Sequence, residues 1–260
     1  MLFRSWSPAS EIAFRFVDRD PNAQLTPEWW RARIARAVER RRPVADVASA
    51  YRVVHGEGDG LPSLVVDRYD RWLVVQLLSA GLEAHRDAIV AALRSEAPCE
   101  GILARNDAAV RTREGLARAV EPLHGTVPDA VTVHEHGIRF VAAPHTGQKT
   151  GAFLDQRENR ARIGAAARGR ALDLFSYHGS FALNLARHAT EVTAVDSSAA
   201  ALERGRENAA PNGTPAIRFV EADAFEFLRA ESAAGHRYDT IVVDPPAFRS
   251  EEHTSELQSH

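Results

Sequence analysis

The chain has 260 residues, of which 45% are hydrophobic and 26% charged, with a formal net charge of −3. This length and composition are typical of a globular protein with roughly two domains. The negative charge excludes a uniformly basic nucleic-acid-binding protein, so any RNA contact must come from a local patch. No apolar run approaches the roughly 20 residues that span a bilayer, and the N-terminus has no signal-peptide core. These features predict a cytoplasmic protein without a membrane partner.

The cysteine count limits the metal and redox chemistry of the chain. Cys99 is the only cysteine, so an intramolecular disulfide is excluded and a reducing compartment is favoured. We predict no metal site, because a structural zinc site usually needs paired cysteines, although the 11 histidines leave a site of His and carboxylate ligands open. His134 and His136 adjoin a turn at His136-Gly137, and a surface turn explains them better than a metal site does.

The N-terminal part of the chain predicts one strand and one helix. Ile12, Phe14 and Phe16 alternate as in a strand that has no partner in this segment. Thr26 and Pro27 predict the start of a helix. Its polar face indicates a solvated surface, with a phosphate-contacting helix as the alternative. The face is formed by Arg31, Arg33, Arg36, Arg40, Arg41 and Arg42.

The next part of the chain predicts a small α+β module. From Tyr51 to Gly81, the turn sequences GEGDGLP and DRYDR divide three strands, and a helix follows over residues 82–95. Further strands are predicted in GILARNDAAVRTREGL and HEHGIRFVAAP. In the segment HTGQKTGAFLDQRENRARI, Gly147 and Gly151 allow close backbone approach to a ligand, and Asp155 precedes a helix.

Four acidic residues each close a short apolar run in the last third of the chain. Such runs, separated by helical patterns, are typical of parallel strands in βαβ units. Ligands of open α/β sheets bind outside the carboxyl ends of the strands, so we expect the four carboxylates at one rim. The residues are Asp173, Asp196, Asp223 and Asp244.

The turn SYHGSF after the first of these strands predicts the type of ligand. Gly179 permits close backbone approach, and the following helix offers N–H groups to a carboxylate. The turn lacks the other glycines of the GxGxxG fingerprint, which disfavours a pyrophosphate cofactor and favours a zwitterionic one such as S-adenosylmethionine. Asp196 lies where an acid binds ribose hydroxyls, and Asp223 lies where a side chain reaches an adenine amino group.

The DPPAF sequence closes the fourth strand with a stiff turn, since two prolines continue neither a helix nor a strand ladder. Such a turn can hold Asp244 and the Pro245 carbonyl against a flat base, with Phe248 available to stack on it. We therefore predict that Asp244 orients a nucleic-acid base.

Seven segments of the chain share one family pattern. They are SPASEI, YRVVHGEGDGLPSLVVDRY, LVVQLLSAG, HEHGIRF, GQKTGAFLDQRENR, LDLFSYHGSFAL and VVDPPAF. Together they resemble the bacterial class I methyltransferases that make 5-methylcytosine in large-subunit ribosomal RNA. The resemblance covers residues 1–248 and implies S-adenosylmethionine as cofactor and ribosomal RNA as partner. It also implies a Rossmann-like methyltransferase domain whose sheet has the strand order 3-2-1-4-5-7-6.

The resemblance also implies site residues. The implied cofactor-binding residues are Asp173, Phe175, Ser176, Tyr177, Gly179, Asp196, Ser197, Asp223, Ala224, Asp244 and Pro245. The implied substrate-binding residues are Gln156, Arg157, Pro246 and Phe248. His178 and Ser180 depart from the common pattern SYTGGF at the contacts to the methionine tail.

On this basis we expect an α/β fold: a truncated Rossmann-like class I methyltransferase domain with its first four strands, after a small α+β module and a PUA-domain remnant. The expected parts are residues 1–18 (PUA remnant), 19–155 (central RNA-binding or linking module), 156–248 (methyltransferase domain, N-terminal half) and 249–260 (non-native tail). The tail sequence RSEEHTSELQSH has no apolar periodicity and looks like a translated sequencing adapter.

Methylation of cytosine C5 requires a cysteine thiolate that adds to C6. The resemblance implies that this cysteine lies in a TCS-like turn beyond Phe248, and Cys99 is not expected to replace it, so we expect this chain to be inactive in methyl transfer. One alternative is an enzyme that methylates an exocyclic base nitrogen, which needs no cysteine and also uses a DPP motif followed by an aromatic residue. A non-enzymatic alternative is an RNA-binding accessory protein with a decayed cofactor site.

Overall fold

The computed structural model describes residues 3–6, 14–214 and 217–245. The chain divides between Arg157 and Glu158 into a first unit (1–157) and a second unit (158–260). Ile12, Pro246, Phe248 and the segment 249–260 lie outside the described residues, and so do the predictions made for them. None of the helices within the described ranges is long and apolar enough to span a bilayer.

A short antiparallel hairpin opens the first unit. Strand β1 (Phe3–Trp6) pairs with β2 (Phe14–Asp18), and Trp6 lies opposite Phe14. The prediction that the strand around Phe14 has no partner is therefore wrong. The partner is the four-residue run FRSW, which is too short to show a period-2 pattern in the sequence.

The first long helix begins where its capping residues predict. The Oγ1 atom of Thr26 accepts the backbone N–H of Trp29 at 3.3 Å, and α1 (Pro27–Arg40) starts with proline at its first position. It is followed by the short α2 (Arg42–Ala45). Apolar residues at helical spacing pack into the core of the unit, and they are Trp30, Ile34 and Ala37.

A five-stranded sheet forms the centre of the first unit. In spatial order its strands are β3 (Ala50–His55), β4 (Leu64–Tyr69), β5 (Trp72–Leu77), β6 (Gly101–Asn106) and β7 (Ala119–Gly125). The pair β5 and β6 is parallel, and the other neighbouring pairs are antiparallel. The three strands predicted between Tyr51 and Gly81 are confirmed, whereas the pattern does not predict β7.

Two helices connect the parallel strands β5 and β6. They are α3 (Ala80–Glu83) and α4 (Arg86–Glu96), so the single helix predicted over residues 82–95 is interrupted. The interruption arises because the His85 N–H bonds to the Leu82 carbonyl oxygen, which closes a tighter turn. A further short helix, α5 (Val110–Arg113), follows β6.

The first unit ends with a second hairpin and a glycine-containing segment. Strands β8 (Val131–Glu135) and β9 (Ile138–Ala142) flank the predicted turn, where His136 and Gly137 both have positive φ. In the following segment, a Cβ atom added at Gly147 would lie 2.6 Å from the carbonyl oxygen of Gly151. The backbone thus approaches itself closely at this position.

The second unit is built on a parallel sheet. In chain order its elements are α6 (Arg157–Ala166), β10 (Arg170–Leu174), α7 (Ser180–Leu185), β11 (Glu191–Asp196), α8 (Ala199–Ala209), β12 (Ile217–Glu221), α9 (Ala224–Ala233) and β13 (Thr240–Val243). In spatial order the strands are β12, β11, β10 and β13. This order, third-second-first-fourth, is the one that the Rossmann-like resemblance implies for the first four strands.

Helices cover both faces of this sheet. Ala171 packs in one cluster with Ala182 of α7, and Leu172 packs in another with Phe227 of α9. The neighbouring residues of β10 therefore alternate between two buried layers, as in doubly wound α/β folds. The carboxyl ends of the strands remain at one rim of the sheet, which is where such folds bind ligands.

Candidate cofactor-binding site

The rim at the carboxyl ends of β10 to β13, here called the strand-tip site, holds all four predicted carboxylates. Asp173 is the penultimate residue of β10, and Asp196 ends β11. Asp223 lies two residues after β12, and Asp244 directly follows β13. The predicted convergence of the acids at one end of the sheet is therefore present in the structure.

Asp173 is buried beneath the rim rather than exposed on it. Its Oδ2 accepts the backbone N–H of Ala182 at 2.9 Å, so this N–H of α7 serves a protein carboxylate and not a ligand. Burial raises the pKa of Asp173 to about 8, against the lowering effect of the Ala182 N–H. The charges of Asp244 and Asp196 raise it further. With a pKa near 8 the Asp173 carboxyl holds a proton at pH 7, and a positively charged ligand beside it would favour its ionised form.

The loop from Phe175 to Gly179 is held in an uncommon backbone conformation. Phe175 and Tyr177 have φ values of 59° and 50°, which non-glycine residues adopt at an energetic cost. The Ser176 N–H bonds to the Val195 carbonyl oxygen at 3.0 Å, and the Tyr177 N–H bonds to Asp196 Oδ2 at 2.8 Å. Both bonds fix the loop to β11. Strained residues that are fixed in this way are typical of ligand-binding sites.

Gly179 has φ +77°, as a left-handed residue at this turn requires. A Cβ atom added there would lie 3.1 Å from Cε1 of Phe219 and 3.6 Å from Cα of Gly205. Its own N–H bonds to the carbonyl oxygen of Ser176. The close approach predicted at Gly179 is therefore present in the packing against Phe219 of β12 and Gly205 of α8.

Two buried polar side chains lie within this loop. The hydroxyl of Ser176 is buried and makes no hydrogen bond to the residues that the structure describes. A buried hydroxyl in this state costs about 1–3 kcal/mol unless something binds it. His178 is also buried, and burial together with the charge of Arg160 lowers its pKa to about 4. The imidazole is therefore neutral at pH 7.

The side chain of Asp196 organises the end of β11. Its Oδ2 accepts the Tyr177 N–H, and its Oδ1 accepts the Ser198 N–H at 2.9 Å. Each carboxylate oxygen can accept a second hydrogen bond, so these contacts leave acceptor capacity for ribose hydroxyls. Ser197 beside it is exposed.

Asp223 caps helix α9. Its Oδ1 accepts the backbone N–H groups of Phe225 and Glu226 at 2.9 and 3.0 Å. Its Oδ2 makes no hydrogen bond to any residue in the described part of the chain, so it can still accept one from a ligand amino group. The following Ala224 is buried.

Phe225 is a rim residue that the sequence patterns did not single out. Its side chain is 55% exposed, and its ring meets that of Phe175 edge-to-face at a centroid distance of 6.4 Å. An exposed aromatic face beside Asp223 suits a stacked purine. The signal was present in EADAF, where an aromatic residue follows the acid by two positions.

The structure describes only some of the residues that we predict to contact the substrate. Asp244 and Pro245 are exposed after β13. Gln156 ends a 3-10 turn and Arg157 begins α6; both are half-buried and lie next to the point where the chain divides into its two units.

The strand-tip site fits S-adenosylmethionine on structural grounds. The unpartnered Ser176 hydroxyl can bind a polar atom, and a sulfonium or ammonium group beside Asp173 would offset the repulsion from Asp244 and Asp196 that helps to raise its pKa. Asp196 and Asp223 retain acceptor atoms for hydroxyl and amino donors. Within the described ranges, no group of three or more His, Cys, Asp or Glu side chains could hold a metal ion.

Comparisons with known proteins point to one family. Residues 51–256 match the family model described as S-adenosylmethionine-dependent methyltransferase. "Ribosomal RNA large subunit methyltransferase I" of Pseudoalteromonas atlantica is 37% identical over 250 residues, which cover 94% of this chain but 63% of that relative. The chain thus spans less than two thirds of that curated relative.

Solved structures share the fold. A Streptococcus mutans protein assigned as a SAM-dependent methyltransferase superposes with a TM-score of 0.81 at 23% identity, over 98% of this chain and 68% of that one. Another methyltransferase structure, complexed with SAH, gives a TM-score of 0.82 at 23% identity, over 96% of this chain and 66% of that one. Because the family model covers most of the chain, this protein belongs to the S-adenosylmethionine-dependent methyltransferase family.

Proposed function

We propose that this chain is the cofactor-binding part of an enzyme that methylates cytosine C5 in large-subunit ribosomal RNA. The observation that carries the proposal is the 37% identity, over 94% of the chain, to a relative named for methylation of this RNA. The aligned range is long enough to include the strand-tip site. The second unit would then hold the cofactor, and the N-terminal hairpin would belong to an RNA-binding PUA domain.

The residues of the strand-tip site have distinct proposed roles toward the cofactor. When bound, S-adenosylmethionine supplies an electrophilic methyl group. Asp196 would accept hydrogen bonds from the ribose hydroxyls, and Asp223 would accept one from the adenine amino group while Phe225 covers the purine face. Ser176 would bind a polar atom of the cofactor through its buried hydroxyl. Asp244 would favour its positive charge, and that charge would in turn favour ionisation of the buried Asp173 carboxyl.

The target base would lie against the turn after β13. Asp244 and Pro245 are exposed there, where a carboxylate and a carbonyl oxygen can orient the amino edge of a cytosine. C5 of cytosine becomes nucleophilic when a thiolate adds to C6. Burial raises the pKa of the Cys99 thiol, against the lowering effect of Arg68 and Arg94, so Cys99 is a poor nucleophile at neutral pH. We therefore propose that the attacking cysteine is a different residue of the complete enzyme.

A methyl-transfer assay tests this proposal. The 260-residue chain is incubated with large-subunit ribosomal RNA and methyl-labelled S-adenosylmethionine, and the RNA is digested to nucleosides. We expect cofactor binding without labelled nucleoside. A chimera that adds the part of the Pseudoalteromonas relative C-terminal to the alignment should yield labelled 5-methylcytidine, with cofactor binding as its folding control.

The alternatives predict different products. Methylation of an exocyclic nitrogen needs no cysteine, so label in an N-methylated nucleoside from the 260-residue chain would overturn the C5 proposal. Label in 5-methylcytidine that is lost in Cys99→Ser would overturn the exclusion of Cys99. An RNA-binding accessory protein with a decayed site would bind neither S-adenosylmethionine nor its demethylated product.

A further inference from the structure

The first unit carries a basic cleft that the cofactor chemistry does not use. It lies between the end of β2, one face of α1 and the glycine-rich turn that follows β3, and its volume is about 720 Å³. Four arginines line it, and they are Arg19, Arg33, Arg36 and Arg40. We call this region the arginine cleft. Three of its arginines are spaced along one face of α1, opposite the face that packs into the core.

We propose that the arginine cleft binds the phosphodiester backbone of a single-stranded RNA segment. This inference rests on the proposed function only in taking RNA as the partner. The arginines on α1 extend over roughly 10 Å of helix, which is the length of about three stacked nucleotides. The cleft can therefore contact more than one phosphate.

The charge of the cleft opposes that of the whole chain. Four arginines line it, and the carboxylates in the same lining are Asp18 and Asp59. Four positive and two negative charges leave a local net charge of +2, whereas the chain as a whole has −3. Such segregation of charge is the electrostatic signature of a surface that binds a polyanion.

The two carboxylates fix some of the arginines. Asp18 Oδ2 accepts from Trp29 Nε1 at 2.7 Å and from Arg33 Nη2 at 2.6 Å. The Trp29 bond, the Asp20 N–H and Arg33 lower the pKa of Asp18 to about 2. It therefore stays ionised at neutral pH. The Arg33 guanidinium also packs against the turn, because a Cβ atom added at Gly60 would lie 3.2 Å from its Nη1 atom.

Asp59 holds two further arginines of this region in place. Arg41 binds both of its oxygens at 2.7 Å, and Arg40 Nη1 binds Oδ1 at 3.1 Å. Burial by itself would raise the pKa of Asp59, but the Arg41 pair and the His55 N–H lower it overall. Arg40 has a half-exposed side chain and further N–H donors, so Asp59 holds it in place while other N–H groups can still bind a ligand.

Two arginines of the cleft remain available to a ligand. Arg19 and Arg36 are exposed, and neither has an ion pair with any residue in the ranges that the structure describes. Arginine donates in a planar fork that matches phosphate oxygens. Two guanidinium groups are thus exposed to solvent beside the arginines that Asp18 and Asp59 hold in place.

Exposed aromatic side chains adjoin the arginines. Phe14 and Phe16 are 51% and 61% exposed and share one face of β2, and Phe16 lines the cleft. Aromatic rings next to a basic groove are how proteins bind single strands, because unpaired bases stack on the rings while phosphates meet the cations. This combination favours single-stranded RNA over an acidic peptide, which has no bases to stack.

The test is equilibrium binding of a labelled single-stranded RNA of roughly 12 nucleotides to the full 260-residue chain. We expect the double variant Arg19→Ala/Arg36→Ala to bind at least about tenfold more weakly. The slope of log affinity against log salt should become shallower by about 1.4, because two phosphate contacts are lost. Phe16→Ala should weaken binding without changing that slope.

The matched control is Arg31→Ala on the same helix, since Arg31 is exposed, pairs with Glu96 and does not line the cleft. It should leave RNA affinity unchanged. Equal affinities for the double variant and the control would overturn the proposal, as would equal or tighter binding of a blunt RNA duplex or of an oligoglutamate peptide. Binding of S-adenosylhomocysteine by the same samples separates this result from the proposed function: intact cofactor binding without RNA binding would overturn only the arginine cleft.

Discussion

The backbone N–H of Tyr177 donates a hydrogen bond of 2.8 Å to Oδ2 of Asp196, and this bond ties the loop after β10 to the end of β11. Tyr177 has a φ of 50°, so a hydrogen bond from its N–H to the Asp196 side chain helps to hold an otherwise unfavourable conformation. Asp196 is therefore a positioning residue for the loop as well as a candidate ribose acceptor.

Replacement of Asp196 by alanine should loosen the loop. Two backbone N–H groups, those of Tyr177 and Ser198, would lose their acceptor, and we expect a loss of about 1–3 kcal/mol in the free energy of unfolding. Hydrogen exchange at Tyr177 should accelerate. The control Glu191→Ala removes an exposed ion pair with Arg170 at the other end of β11 and should cost less than about 1 kcal/mol. Equal costs for both variants would contradict the positioning role.

The buried acid Asp173 should make stability depend on pH. Its pKa is raised from 3.8 to about 8, so the folded state retains a proton that the unfolded state releases. The contribution is fully present below about pH 4 and is lost as the pH rises through about 8. In Asp173→Asn this decline should be absent, whereas Glu191→Gln should retain the wild-type profile. Denaturant unfolding across this window measures both, and parallel profiles for wild type and Asp173→Asn would contradict the assignment.

The exposed ring of Phe225 should contribute to cofactor binding and little to stability. Phe225→Ala removes an exposed side chain, so its effect on the unfolding free energy should stay within about 1 kcal/mol. The affinity for S-adenosylhomocysteine should fall by roughly tenfold, as expected for one lost stacking contact of about 1–3 kcal/mol. Glu226→Ala, at the neighbouring exposed position, is the control and should bind as the wild type does. Unchanged affinity in Phe225→Ala would exclude stacking.

A buried polar network in the first unit should be sensitive to loss of one hydroxyl. Thr150 Oγ1 donates to Asp67 Oδ2 at 2.6 Å and lies 3.0 Å from the Tyr69 hydroxyl, which accepts the Ala152 N–H. Thr150→Val keeps the shape but leaves buried polar atoms unsatisfied, so it should cost about 1–3 kcal/mol. The control Thr132→Val, at an exposed position, should cost less than about 0.5 kcal/mol. Chemical denaturation compares the two, and similar midpoints would show that the network adds no stability.

The elements that the sequence predicts well have local signals. The Thr26-Pro27 pair fixes the start of α1, and turn sequences delimit β3, β4 and β5. The parallel strands of the second unit follow from apolar runs that each end in an acid. In these cases the side chains that cause the structure lie within a few residues of it.

The features that sequence reasoning missed depend on distant partners. Gly179 packs against Phe219, which is forty positions away, so the reason for the glycine was not visible in SYHGSF. Asp173 was expected at the rim but lies buried because α7 returns to offer it the Ala182 N–H. The strand around Phe14 was left unpaired because its partner β1 has no distinctive pattern. Phe225 was not predicted because an aromatic residue on a helix does not by itself indicate a ligand-binding site.

Calorimetric titration of the 260-residue chain with S-adenosylhomocysteine tests the central claim, that the strand-tip site of the second unit binds the cofactor. We expect one molecule bound per chain. The affinity should be at least about tenfold weaker in Asp196→Ala, because this variant removes hydrogen-bond acceptors from the site, and unchanged in Glu191→Ala, because Glu191 lies at the other end of β11. The absence of binding by a cooperatively folded chain, or equal binding by both variants, would contradict the account.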